Sequence, residues 1–140
     1  MDISKEEKEL IKWAFIAAKK AYSPYSHFCV GAALLTAESG IYLGCNIENS
    51  SYGATNCAER TAIFKAVSDG VKTFKAIAIV GYLEDNEPTD YAYPCGICRQ
   101  VMSEFCEPDF KVIVAKNQDD YKVFALSELL PQSFGADNIK

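Results

Sequence analysis

With 140 residues, 49% of them hydrophobic and 12% aromatic, the chain has the size and composition of one globular domain over residues 1–140 that buries a core without covalent staples. A net charge of -5, with no cluster of Lys and Arg, argues against a nucleic-acid partner, because phosphate backbones are held mainly by such clusters. The charged opening, Met1-Asp2-Ile3-Ser4-Lys5-Glu6-Glu7, is unlike a secretion signal and no later apolar run reaches bilayer-spanning length, so a cytoplasmic protein with no membrane partner is expected.

Leu10, Trp13, Ala14, Ala17 and Ala21 recur at helical spacing, and Ser4 followed by Glu7 is a capping-box start. The sequence therefore predicts an amphipathic helix over about Ser4–Lys20, broken by Ser23-Pro24-Tyr25-Ser26. Cys29–Thr36 is an apolar run too short for a helix; after the turn residues Glu38-Ser39-Gly40 it is followed by Ile41–Asn46, and the two are predicted to pair as a hairpin. A helical pattern then runs from Asn56 through Asp69 and stops at Gly70, which accepts a left-handed backbone at little cost. Phe74–Val80 reads as a buried strand and the polar Glu84–Asp90 as a surface loop. Pro94 leads into a helix from about Cys95 to Phe105, followed by a strand over Lys111–Ala115 and a short helix around Ser127–Leu130 that Pro131 ends. Apolar strands alternating with helices predict an α/β fold whose sheet is covered on both faces.

Six cysteines in 140 residues fall below the roughly 8–10% of short disulfide-stapled scaffolds, and in a reducing compartment metal binding is the better use for them. Cys29, Cys45 and Cys106 lie in apolar runs and read as small buried hydrophobes. The other three stand in Cys57-Ala58-Glu59 and Pro94-Cys95-Gly96-Ile97-Cys98. Each motif opens a predicted helix, where free N–H groups and a partial positive charge favour thiolates. Three ligands leave zinc a position for water, whereas purely structural zinc is usually closed by four protein groups. A closed site would require Cys29 or Cys45, since His27 stands far upstream in a turn and Cys106 lies too far along its helix.

Glu59, two residues beyond the first ligand, is a candidate proton carrier; the competing reading makes Asn56 an N-cap and Glu59 its capping-box partner. Three thiolates on Zn2+ leave a negative charge that weakens the metal as a Lewis acid. Arg60 is the candidate to offset it, with Arg99 as the alternative.

A Cys-x-Glu followed by Pro-Cys-x-x-Cys is the grouping of the zinc deaminases, in which the Glu stays outside the metal shell. Along nearly its whole length the chain resembles the small, homotetrameric, three-cysteine cytidine deaminases. The residues that carry the resemblance are Pro24-Tyr25-Ser26, Phe28, Val30–Leu34, Gly44–Asn49, Asn56–Arg60, Pro94–Gln100, Leu129-Leu130-Pro131 and Phe134. It implies a three-layer α-β-α sandwich around a mixed sheet of about five strands, and one Zn2+ per chain on Cys57, Cys95 and Cys98. It implies Glu59 as the catalytic acid and base in the deamination of cytidine and deoxycytidine to uridine and deoxyuridine with release of ammonia, in pyrimidine salvage. It further implies that Asn46 and Glu48 bind the sugar hydroxyls, that Phe28 lies against the pyrimidine pocket with Tyr52 also at the substrate, and that Phe134 reaches the site from a neighbouring subunit of a homotetramer.

Taken without the resemblance, Asn46 and Glu48 simply leave the same face of an extended segment, and Phe28, Tyr52 and Phe134 are ordinary packing residues. An aminonucleoside-antibiotic deaminase of the blasticidin kind shares both cysteine motifs; the Asn46-x-Glu48 pair favours cytidine. A zinc-stabilised interaction module without turnover is the non-enzymatic alternative.

Overall fold

The computed structural model describes residues 1–140. In chain order it contains α1 (Lys5–Ala18), β1 (Phe28–Thr36), β2 (Ile41–Cys45), a short turn of 3-10 helix (Tyr52–Ala54), α2 (Ala58–Ser68), β3 (Phe74–Leu83), α3 (Gly96–Phe105), β4 (Lys111–Ala115), β5 (Tyr121–Ala125) and α4 (Leu126–Leu129). The strands form one sheet in the order β2-β1-β3-β4-β5. Only the β3–β4 pair is parallel, with α3 as the crossover between them; β1 runs antiparallel to both β2 and β3, and β5 antiparallel to β4.

Strands β1, β3 and β4 are buried through their central positions, as their continuous apolar runs require, because a sheet covered on both faces shows no polar alternation. On one face α1 packs Leu10, Ile11, Ala14 and Ala18 against Ala33, Leu35, Ala78 and Val80. On the other, Ala58, Ala62, Ile63 and Ala66 of α2 and Met102 of α3 pack against Ala32, Leu34, Ile77 and Ile79. The odd and even residues of β1 thus serve opposite cores, and the result is the expected three-layer α-β-α sandwich with a mixed five-stranded sheet.

Two glycines set how closely the helices approach. A Cβ on Gly31 would lie 2.0 Å from the Ala14 carbonyl oxygen of α1, and one on Gly44 would lie 2.3 Å from the Ala58 carbonyl oxygen of α2. The first turn of α2 therefore rests directly on β2, which fixes the position of the residues at its N-terminus.

Local signals hold at most element ends. Ser4 caps α1 with its hydroxyl accepting from the Glu7 N–H, while the Glu7 carboxylate accepts from the Ser4 N–H at 2.8 Å, the reciprocal capping box. Gly70 after α2 has φ 87°, the left-handed conformation expected there. The hairpin forms with Leu34 opposite Tyr42. β5 is the strand that the apolar pattern misses: Tyr121–Ala125 is a half-buried sheet edge with Lys122 exposed, so it lacks the continuous apolar signature of its neighbours.

The capping-box reading of Glu59 is corrected. The N-cap of α2 is Cys57, not Asn56, so Glu59 is the second helical residue. The Asn56 amide instead donates to the Thr61 hydroxyl at 3.0 Å. With no capping role, Glu59 has nothing local to explain its carboxylate.

Candidate functional site

Cys57 and Cys95 are the N-cap residues of α2 and α3, and Cys98 lies in the first turn of α3. Neither N-cap sulfur is used for side-chain capping, so both are free to turn toward each other. The Sγ atoms of Cys57, Cys95 and Cys98 all lie within 4.8 Å of one another, and the Cys57–Cys95 pair is 3.8 Å apart. Two sulfurs bound at about 2.3 Å to a tetrahedral zinc sit roughly 3.8 Å apart, so the donor set fits that ion. These three are the sulfurs that converge: Cys29 instead lies beside the Ser23 hydroxyl at 3.6 Å, Cys45 points to the Lys20 carbonyl, and Cys106 lies beyond the far end of α3. Of these three only Cys29 is fully buried; Cys45 and Cys106 are half-buried, a correction to their reading as uniformly buried hydrophobes.

The chemistry of the sulfurs is uneven. The Cys57 thiol is pulled down chiefly by a hydrogen bond from Cys98, with burial opposing and Arg60 assisting. Cys98 is pushed up as the donor to Cys57 and by its own burial. Arg60 Nη2 donates to Cys57 Sγ at 3.3 Å, so of the two arginines considered it is Arg60 that reaches a ligand. Arg99 donates instead to the carbonyls of Pro94 and Leu129, each at 2.8 Å.

Glu59 is 3% exposed. Burial, the dominant influence, pushes its carboxyl up to about 7, with its own backbone N–H pulling down and the Cys57 charge pushing up. Its Oε1, together with Arg60 Nε, completes the set of buried side-chain nitrogen or oxygen atoms that have no hydrogen-bond partner. Buried polar atoms are nearly always satisfied, and here both exceptions belong to residues flanking one cysteine cluster.

Glu59 and Cys57 line a cavity of about 250 Å3, walled by Phe28, Val30, Asn46, Ile79, Ala92 and Tyr93 among others. A neighbouring hollow of about 400 Å3 is lined by Tyr25, Ser26, Glu48, Tyr52 and Thr55. Thr55 lines both, so the two are adjacent. Asn46 and Glu48 thus face adjoining compartments rather than one ligand from a common face. The Asn46 amide is buried and already engaged: Oδ1 accepts from the Val30 N–H at 2.9 Å and Nδ2 donates to the Phe28 carbonyl at 2.8 Å. Its free lone pair and second N–H remain for a ligand. Glu48 Oε1 accepts from the N–H groups of Tyr25 and Ser26 at 3.0 and 3.1 Å, and Oε2 from the Ser26 hydroxyl. The Ser26 hydroxyl bond leads the influences that hold its carboxyl below the ordinary range.

Phe28, Tyr52 and Phe134 are 38%, 76% and 62% exposed, so their reading as ordinary packing residues fails for all three. Phe28 walls the first cavity and Tyr52 the second, while Phe134 lines neither. Ala92, Tyr93 and Thr55 are wall residues that sequence reasoning passed over; their only signal was their place beside Pro94 and Asn56.

The zinc-binding region of the cytidine and deoxycytidylate deaminases matches residues 4–115. The chain is 48% identical to a cytidine deaminase of Sporosarcina psychrophila over 139 residues, covering 99% of this chain and 96% of that one. It is also 48% identical to a cytidine deaminase of Halalkalibacterium halodurans, covering 96% and 98%. A solved cytidine deaminase structure from Burkholderia pseudomallei superposes with a TM-score of 0.83 at 45% identity, covering 94% of this chain and all of that one. Family model, sequence identity over nearly the whole chain and fold agree, and the chain belongs to the zinc-binding cytidine and deoxycytidylate deaminase family.

Proposed function

We propose that this chain, as one catalytic domain, deaminates cytidine and deoxycytidine to the corresponding uridines with release of ammonia. The observation that carries the reading is Glu59 Oε1, buried without a partner beside the sulfur cluster and lining a cavity of about 250 Å3. Zinc held by Cys57, Cys95 and Cys98 supplies the Lewis acidity that makes water reactive near neutral pH.

Glu59 takes a proton from the attacking water and delivers it to N3 of the ring, which makes C4 electrophilic as the water oxygen adds there. Glu59 then takes the second proton from the new C4 hydroxyl and passes it to the exocyclic amine, so that the C4–N bond breaks, ammonia leaves and the C4 carbonyl forms. A carboxyl held near 7 is matched to both directions of transfer. Arg60 offsets the thiolate charge through Cys57.

The pyrimidine occupies the cavity against Phe28, and the sugar spans the boundary between the two compartments, where Asn46 from the cavity side and Glu48 from the adjoining hollow bind its hydroxyls and Tyr52 closes the outer side. The lone pairs that Asn46 and Glu48 keep beyond their structural hydrogen bonds support that assignment. Phe134, exposed and lining neither cavity of its own chain, completes the site of a neighbouring copy in a homotetramer. No helix is long and apolar enough to cross a membrane, in keeping with a cytoplasmic enzyme of pyrimidine salvage.

The deciding experiment measures bound zinc per chain together with loss of cytidine and appearance of ammonia, with blasticidin S offered in parallel. Near one zinc per chain and turnover of cytidine are expected. Exclusive turnover of blasticidin S overturns the substrate assignment, and full zinc with no turnover of either compound returns the chain to a purely structural metal module.

A further inference from the structure

Arg99 was a candidate for offsetting thiolate charge, and it does not reach the sulfurs. What it does is structurally specific. Its backbone N–H donates to the Cys95 carbonyl at 3.0 Å, the first hydrogen bond of α3, and its side-chain Nε donates to the Pro94 carbonyl at 2.8 Å. The carbonyls on both sides of the Pro94–Cys95 junction are therefore held by one residue. The same guanidinium reaches away from the metal cluster: Nη1 donates to the carbonyl of Leu129, the last residue of α4, at 2.8 Å. The next residue along α3 repeats the connection, with Gln100 Nε2 donating to the Phe134 carbonyl at 2.8 Å.

No carboxylate competes for Arg99, since the ion pairs of the chain are His27–Glu84, Glu7–Lys111 and Asp137–Lys140. A half-buried guanidinium with no acidic partner and two backbone carbonyls at ideal distance acts through its forked shape, which a lysine does not reproduce. The segment it grips is otherwise lightly held. Leu130 donates back to Leu126 and Asn138 to Gly135, but between residues 131 and 134 no backbone-to-backbone hydrogen bond forms, and Gln132 and Phe134 are both exposed.

We infer that Arg99 is a positioning residue that braces the Cys95 ligand and, with Gln100, ties the metal-bearing start of α3 to the 129–134 segment, so that order at the metal cluster and order in that segment rise and fall together. The inference rests on the metal reading of Cys57, Cys95 and Cys98, and outer partners of metal ligands are known to change affinity by about 10- to 100-fold when removed.

The test uses the zinc-loaded chain and two readouts besides turnover: the rate of zinc transfer to a colorimetric chelator, and amide hydrogen exchange by peptide. Arg99→Gln is expected to speed zinc loss by about tenfold or more and to raise exchange within 129–134, while exchange in α1 and β3 stays as in the unaltered chain. Arg99→Lys keeps the charge and loses the fork, so it should behave like Arg99→Gln. Gln100→Ala should loosen residues 131–134 and speed zinc loss too, by less than Arg99→Gln does because the Pro94 and Leu129 carbonyls keep their donor. In the unaltered chain, stripping zinc should raise exchange at 94–99 and 129–134 together, a comparison that requires no variant to fold.

Restoration of zinc retention by Arg99→Lys would overturn the inference in favour of simple charge. So would a rise in exchange spread evenly over the whole chain, or a 129–134 segment indifferent to zinc. An unaltered chain that takes up no zinc would overturn the metal reading and this link together, whereas zinc uptake with an indifferent segment removes the link alone.

Discussion

Arg60 Nη2 sits 3.3 Å from Cys57 Sγ while its Nε is buried with no partner, so the guanidinium is turned onto the sulfur cluster. A cation held in that way draws charge from the thiolate and leaves a bound metal more acidic. Arg60→Gln should therefore retain zinc under saturating metal yet lower kcat by about 10- to 100-fold, with the loss largest below neutral pH, where a less acidic bound water is least ionised, and shrinking as pH rises. Steady-state kinetics with zinc added in excess checks this; a kcat equal to that of the unaltered chain would move the charge-offsetting role elsewhere.

Glu59 supplies a sharper separation of function from stability. A carboxylate 3% exposed, with one oxygen unpartnered, is a poor choice for stability, because burial without a partner disfavours the charged form. Glu59→Gln keeps the shape and removes the charge. It should hold zinc, melt at or above the temperature of the unaltered enzyme, and lose about 10^2- to 10^4-fold in kcat. Calorimetry and turnover on the same preparation measure both, and turnover within tenfold of the unaltered enzyme would remove Glu59 as the proton carrier.

What the sequence made legible was local: the Ser4–Glu7 capping box, the Gly70 stop, the apolar runs of β1, β3 and β4, and the two cysteine motifs at helix starts. Spacing carries that information because one turn of helix or one strand decides it. It does not carry partner choice across the fold. Arg60 stands three residues after Cys57 and Arg99 directly after Cys98, yet it is the more distant Arg60 that reaches sulfur while Arg99 reaches Leu129 of α4. Asn46 looked like a ligand-facing amide, yet much of its hydrogen-bonding capacity is spent fastening Phe28 and Val30 at the start of β1. Edge strand β5 escaped for the opposite reason: a strand half open to water lacks the apolar run that marks its buried neighbours.

That double duty of Asn46 yields its own prediction. Asn46→Ala leaves the Val30 N–H and Phe28 carbonyl without their partner, a loss of about 1–3 kcal/mol, and slackens the Phe28 wall of the cavity. Stability and KM for cytidine should worsen together, while Glu48→Gln, at a half-buried loop position whose amide oxygen can still accept from the Tyr25 and Ser26 N–H groups, should raise KM with a smaller change in melting temperature. Denaturant titration beside KM values tests the contrast; a stability cost for Glu48→Gln equal to that for Asn46→Ala would contradict it.

Gly31 and Gly44 form a matched pair on opposite faces of the sheet. Adding a methyl group at either forces backbone to move, since the nearest atoms are a carbonyl oxygen and an amide nitrogen within 2.5 Å. Each alanine variant should lose about 1–3 kcal/mol by overpacking. Only Gly44→Ala displaces the turn that carries Cys57 and Glu59, so it alone should also speed zinc loss. Equal zinc retention in the two variants would show that α2 can shift without disturbing its first turn.

Far from the site, Glu7 joins two elements: its carboxylate caps α1 through the Ser4 N–H and accepts from Lys111 Nζ of β4 at 3.0 Å. Burial alone would raise its carboxyl, but the Ser4 N–H and then Lys111 outweigh it and hold the group below its ordinary value. The folded chain therefore binds that proton less readily than the unfolded one. The contribution is present in full above the ordinary carboxylate range and is lost as pH falls through that range toward the lowered folded value. Glu7→Gln should cost about 1.5–3 kcal/mol at neutral pH, the scale of a hydrogen bond to a charged group, and progressively less in acid, so that the two stability curves converge. Urea titrations from neutral pH down through the carboxylate range give the curves directly, and a gap that stayed constant with pH would show that Glu7 acts as a neutral cap rather than as an anion.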